Sequence, residues 1–160
     1  MVITRSRSSL ARTLMVCALA AIFAGCGAPK VPPTTVAGTV AASAGVNPTV
    51  SGRPSPVQLR VYELKTATAF SAADFVSLYQ RDQAELGADL VAREEMTLAP
   101  GESRALSRTL APETRFIGVF AAYRDVEHAR WRAVLPVRAG QAHRLTVRAD
   151  ALVLAAEMAP

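Results

Sequence analysis

Two cysteines and two histidines are the side chains of this chain with the widest chemical reach, and one of the four sits in a motif that uses it. Cys26 follows Phe23-Ala24-Gly25, with an apolar residue at the third place before the cysteine and two small ones between. Small side chains let a peptidase hold the backbone extended, and a thiol so placed accepts a diacylglyceryl group. The competing interpretation is an ordinary secretory signal that happens to contain a cysteine. Cys17 lies inside the apolar run that precedes the motif and is expected to leave with it. Cys26 then stands alone, so neither a disulfide nor a cysteine-based metal site can form.

The remaining candidates are weaker. A zinc site needs three or four ligands, and His128 and His143 supply no such spacing. His128 is expected in a solvated turn and His143 on a sheet surface or edge. Asp125, Glu127 and His128 are close enough for acid-base work, but no Gly-x-Ser-x-Gly elbow or free thiol provides a nucleophile beside them. Arg93-Glu94-Glu95 is expected to be a salt-bridged polar strand edge. The glycines are scattered, which rules out a phosphate-cradling loop. An enzyme is therefore disfavoured. The best binding candidate is the loop 45–56, where prolines limit the conformations that must be frozen on association. Its plainer role is a rigid connector between two strands.

These residues need elements to hold them. Arg5, Arg7 and Arg12 precede an uncharged apolar run over residues 14–24, the pattern of a secretory signal. That run is too short for the about 20 residues a helix needs to span a bilayer. Residues 1–25 are read as a cleaved signal and 26–33, with its prolines, as a lipidated tether. A mature lipoprotein's acyl chains each bury methylenes at about 0.8 kcal/mol apiece, so the attachment is durable. Gly27 and Ala28 replace the Asp that favours inner-membrane retention, which points to the outer membrane, periplasmic face. Of 18 basic and 13 acidic residues, three arginines belong to the signal, leaving 15 against 13. So small an excess, without basic-aromatic patches, excludes a nucleic-acid partner.

The mature length suits one domain, residues 34–160. Residues 34–43 read as a strand. Residues 57–64 alternate, with Val57, Leu59 and Val61 on one face and Gln58, Arg60 and Glu63 polar, and Tyr62 on the wetter side. Ser71 is positioned to cap one helix over residues 72–81, with Phe75, Leu78 and Tyr79 as its stripe. Further strands are expected at 94–98, 103–110, 115–123, 129–137, around 143–148 and at 151–156, with Pro100-Gly101 turning the first pair. Residues 115–123 are apolar on both faces and are expected to be the most buried, with Gly118 admitting a close neighbour. The fold class is mainly β, a two-sheet β-sandwich with one inserted short helix.

Taken in order, the lipobox cysteine, Asn47-Pro48, Gly52-Arg53-Pro54-Ser55-Pro56-Val57, Arg60-Val61-Tyr62-Glu63-Leu64, Ala73-Asp74-Phe75, Leu78-Tyr79, Pro100-Gly101-Glu102, Ala122-Tyr123-Arg124-Asp125 and Trp131-Arg132 resemble the TssJ (SciN/VasD) outer-membrane lipoproteins of the type VI secretion system. The resemblance implies a transthyretin-like β-sandwich with an added helix. It also implies a partner, the periplasmic part of the inner-membrane protein TssM, with TssL in the same complex, and no cofactor beyond the lipid on Cys26. The loop joining the first two strands would be the principal contact, which here means Asn47, Pro48, Gly52, Arg53 and Pro54, with Arg53 as a polar anchor. The alternative is a periplasmic lipoprotein whose sandwich binds a small ligand or another envelope protein.

Overall fold

The computed structural model describes residues 32–160. The expected signal at 1–25, Cys26 as the expected lipidation site and the expected tether as far as residue 31 lie outside the described residues. Eight strands make two four-stranded sheets: β1 Thr35–Ala42, β2 Val57–Leu64, β3 Leu90–Leu98, β4 Ser103–Thr109, β5 Phe116–Ala122, β6 Arg132–Pro136, β7 Ala142–Ala149 and β8 Leu154–Ala159. One sheet runs β4-β1-β7-β8 and the other β3-β2-β5-β6. All pairings are antiparallel except β1 with β7. The two-sheet sandwich expected from strand spacing is the fold observed.

Alternation explains the main core. Val36 and Val40 from β1, Leu59 and Val61 from β2, Ile117 and Val119 from β5, and Leu145 and Val147 from β7 all point between the sheets and are buried. Gly38 lies in this layer for a steric reason: a Cβ there would come within 1.7 Å of the Leu145 carbonyl oxygen on the paired strand. β2 is more buried than β5, with seven of its eight residues inside against five of seven. It is central in its sheet and covered on both faces, and that double cover exceeds what its alternating sequence suggested.

The second cover is the insertion between β2 and β3, which holds two helices where one was expected: α1 Thr68–Ala72 and α2 Phe75–Leu86, then a 3-10 turn Gly87–Asp89. Ser71 lies inside α1 and caps nothing. Asp74 caps α2, accepting from the Ser77 backbone N–H at 2.9 Å and its hydroxyl at 2.8 Å. A carboxylate satisfies an otherwise orphaned helix N–H and suits the positive end of the dipole, so the helix starts there. The Ser77 hydrogen bonds hold the Asp74 carboxyl below its ordinary range.

These helices lay Phe70, Ala73, Leu78 and Leu86 on the outward face of the β2–β5 pair, against Tyr62, Leu64 and Phe120. Tyr62, expected on the wetter side, is fully buried there. Gly118 leaves Phe70 room to close: a Cβ at that position would meet the ring at 3.1 Å. Polar residues under α2 form one network. Arg60 donates through Nε to Glu95 at 2.7 Å and through Nη1 to the Leu78 and Tyr79 carbonyls at 2.9 and 3.0 Å. Those carbonyls border Arg81, whose backbone leaves the helical region and kinks α2. Asp82, 4% exposed, accepts from the Tyr62 hydroxyl at 2.9 Å and from Arg93 at 2.8 Å. Burial opposes its ionisation. Hydrogen bonds from Arg93 and Tyr62, with the Arg60 and Arg93 charges, overcome that and hold its carboxyl below the usual range.

Other departures are local. Glu63 faces the inter-sheet space, not the polar side, and is satisfied by Arg108, Thr114 and the Ala111 N–H. The expected strand at 94–98 begins at Leu90, and the one at 129–137 is confined to Arg132–Pro136, with Arg130 bridging only Val153. The last strand falls at Leu154–Ala159 because a turn, closed by Asp150 N–H to the Val153 carbonyl, uses up the residues before it. His143 points into the core from β7 and is 7% exposed, with Nε2 2.9 Å from the Arg138 carbonyl. Its alternation with Leu145 and Val147 carries it inward.

Candidate functional site at the loop pole

The sandwich has two ends with different furnishing. At one, the chain enters at Thr34, whose carbonyl accepts from Leu110 N–H and whose hydroxyl accepts from Gly140 N–H, both at 2.8 Å. At the other stand the loop 45–56, the Pro100-Gly101 turn, the β5–β6 connection and the β7–β8 turn. β1 runs from the first end to the second. Its eight residues at about 3.3 Å each separate the two by roughly 26 Å.

The loop is clamped at its stem. Val46 is fully buried, and Asn47 adopts a positive φ of 50°, which asparagine tolerates better than most residues. The Asn47 side chain donates to the Pro56 carbonyl at 2.7 Å and accepts from the Arg124 N–H at 2.8 Å. Its own N–H donates to the Ala151 carbonyl at 3.0 Å. Buried Ser55 donates to the Asn47 carbonyl at 2.5 Å and accepts from Arg124 Nε at 3.0 Å. Three connections are thereby tied together through one asparagine.

The tip is closed on itself. Thr49 N–H donates to the Arg53 carbonyl and Gly52 N–H to the Thr49 carbonyl, each at 2.8 Å, and Thr49 Oγ1 accepts from the Arg53 N–H at 3.2 Å. Gly52 takes a φ of 77°, left-handed backbone that glycine adopts freely. This turn holds Val50 entirely outside, with its side chain as exposed as in an extended peptide.

Of the residues the sequence reading nominated, Gly52, Arg53 and Pro54 are exposed and Pro48 is half-buried. Asn47 is 3% exposed and its polar atoms are spent inside the protein, so it shapes the surface without presenting one. Cys26 lies outside the described residues. The structure adds Val50, Ser55, Arg124, Asp125 and Leu152 to this pole. An aliphatic residue in a loop rich in proline and glycine was the legible signal for Val50. Ser55 falls within the nominated loop, and nothing local in the sequence marks Leu152.

Between the loop and its neighbours lies a groove of about 900 Å³, bounded by Pro48 to Ser51 and by Arg124, Asp125 and Leu152. Asp125 is engaged with His128, Oδ1 to Nδ1 at 2.8 Å, a contact that raises the imidazole pKa and lowers that of the carboxyl. Arg93, Glu94 and Glu95 pair with Asp82, Arg108 and Arg60, as expected of a salt-bridged strand edge. Among the described residues no group of three His, Cys, Asp or Glu could hold a metal ion, and no helix is long and apolar enough to cross a membrane.

Comparison with known proteins places this geometry. No curated protein matches the chain. Among solved structures, the type VI secretion lipoprotein TssJ1 from Pseudomonas aeruginosa shares 41% identity at a TM-score of 0.77, over 81% of this chain and 98% of that one. Serratia marcescens Lip, described as a membrane-bound component of the type VI secretion system, shares 26% identity at 0.72, over 78% and 96%. A chain in the structure described as the TssM C-terminal domain (869-1107) from EAEC shares 25% at 0.64, over 76% and 99%. The family model for type VI secretion lipoproteins, described by the names VasD, EvfM and TssJ, matches residues 34–152, and the chain belongs to that family.

Proposed function

We propose that this protein is the outer-membrane lipoprotein of a type VI secretion membrane complex, held by lipid on Cys26, and that it binds and positions the periplasmic part of TssM. TssL completes the assembly on the inner-membrane side. The role is mechanical and organisational, with no turnover. The observation that carries it is polarity: the chain enters β1 at one end of the sandwich, at Thr34, and a clamped loop with an exposed tip stands at the other. Family membership and the likeness to a chain in a TssM structure support the choice of partner.

The test is binding of the periplasmic fragment of the cognate TssM, using protein made soluble by Cys26→Ser. Arg53→Glu, or removal of residues from the 47–54 stretch, is expected to weaken binding while the circular dichroism spectrum stays that of the folded domain. Unchanged affinity in both variants refutes the loop assignment.

A further inference from the structure

We infer that the groove beside loop 45–56 seats one extended segment of the protein partner in which a bulky apolar side chain is followed or preceded closely by a carboxylate. This rests on the reading that the loop pole binds TssM, and it adds a second wall to the site and a chemistry for what fills it. The groove has Pro48, Thr49 and Val50 on one side and Arg124, Asp125 and Leu152 on the other.

Apolar recognition comes from Val50. Its side chain is wholly exposed, yet the turn that carries it is fixed by hydrogen bonds within residues 49–53. Burying it against a partner removes apolar surface from water with little further ordering of this chain, the circumstance in which one side chain becomes an anchor. Leu152 and Pro48 give the partner's side chain an apolar floor. Acidic recognition comes from an imbalance of paired charge. Three carboxylates of this pole are engaged, Asp125 by His128, Asp150 by Arg148 and Glu102 by Arg104, and Glu127, exposed in the β5–β6 connection, lies outside the groove lining. Arg53 and Arg124 have no carboxylate within 4 Å among the described residues. Within the groove lining Asp125 is held by His128, and the Arg124 guanidinium is the charge without an ion-pair partner among the described residues; a partner carboxylate beside the apolar anchor satisfies it. Both walls are held at fixed separation, because Arg124 is bonded through its backbone to Asn47 and through its side chain to Ser55.

The experiment uses the Cys26→Ser protein and the periplasmic fragment of the cognate TssM as probe. Photo-crosslinkers are placed by Val50→p-benzoylphenylalanine and, on the far wall outside the loop, Leu152→p-benzoylphenylalanine. Affinity is measured for Val50→Asp and Arg124→Gln over a range of salt. Both crosslinkers are expected to capture one stretch of the probe, with an Asp or Glu within five residues of the captured site. Val50→Asp is expected to lose at least tenfold in affinity, and Arg124→Gln about fivefold with a shallower salt dependence. Normal binding with capture from position 50 alone, or capture of a stretch without acidic residues, overturns the groove while the loop reading stands. No binding by the unsubstituted Cys26→Ser protein overturns both.

Discussion

Asn47→Ala separates a residue that shapes the candidate interface from residues that touch the partner. The asparagine bridges the loop stem to Pro56 and Arg124 by two hydrogen bonds of 2.7 and 2.8 Å and does so from a left-handed backbone. Loss of the amide leaves the Pro56 carbonyl and the Arg124 N–H without partners. Both lie at a pole that water reaches once the loop loosens, so each is placed at the low end of the range, about 1 kcal/mol apiece. Alanine in the left-handed region adds about 1 kcal/mol. The sum, about 3 kcal/mol, is a large share of the 5–15 kcal/mol typical of a domain, and the variant stays folded at room temperature. Thermal unfolding is expected to move down by about 10 °C for a domain of this size. Urea unfolding followed by the fluorescence of Trp131, the single tryptophan, packed T-shaped on Phe75 at 5.4 Å, gives the free energy. Hydrogen exchange at the Arg124 amide gives the local effect, expected to quicken at least tenfold. Binding to TssM should weaken although residue 47 is not at the surface. A loss below about 1 kcal/mol with Arg124 still protected would refute the clamp.

Two further outcomes are expected. Asp82→Ala leaves Arg60 with Glu95 and two carbonyls, so the cost sits at the low end for breaking a buried ion network, about 3 kcal/mol. Because the Asp82 carboxyl titrates below its unfolded value, the stability it contributes is complete above about pH 4 and is lost as pH falls through the folded value. Melting temperatures of Asp82→Ala measured from pH 7 to 3 should therefore fall less steeply in acid than those of the parent, and parallel curves would contradict the linkage. Cys26→Ser is expected to fractionate as soluble periplasmic protein and to abolish secretion, and normal membrane fractionation would overturn the lipidation assignment.

The sandwich was legible because most strands carry one strong alternating face. Val57, Leu59 and Val61, or Leu145 and Val147, announce a period of two that only a sheet can use. What alternation hides is cover on the second face. Tyr62 reads as a wet residue because its neighbours Arg60 and Glu63 are charged, yet Arg60 is buried in a network supplied by Asp82 and Glu95, distant in sequence. The helix boundary was missed because Ser71 and Asp74 both resemble caps. The carboxylate prevailed by satisfying both donors of Ser77. At the site, composition marked the loop but not the division of labour within it. Asn47 and Arg53 look equally available in sequence, and their separation into clamp and surface follows from contacts with Pro56 and Arg124, the latter 77 positions away.

On the proposed reading the two ends of the sandwich bear opposing loads, and β1 lies between them. Tension from a lipid leaflet enters at Thr34, and tension from TssM enters through the loop after Ala42. β1 is a central strand, paired with β4 along residues 35–41 and with β7 along residues 35–42. Force applied along a strand so paired shears every ladder bond together instead of opening them one at a time from an end. The bonding holds to the last residue of the strand and one beyond it: Ala42 N–H donates to the Glu102 carbonyl at 2.8 Å and Ser43 N–H to the Ala149 carbonyl at 2.9 Å. Gly38 fits the same requirement, because a side chain there would force β1 off Leu145 in the middle of the loaded ladder. A lipoprotein that only had to reside at a membrane could attach its tether to an edge strand. Placing the tether and the binding loop at the two ends of one doubly paired strand suits a molecule that transmits pull between them.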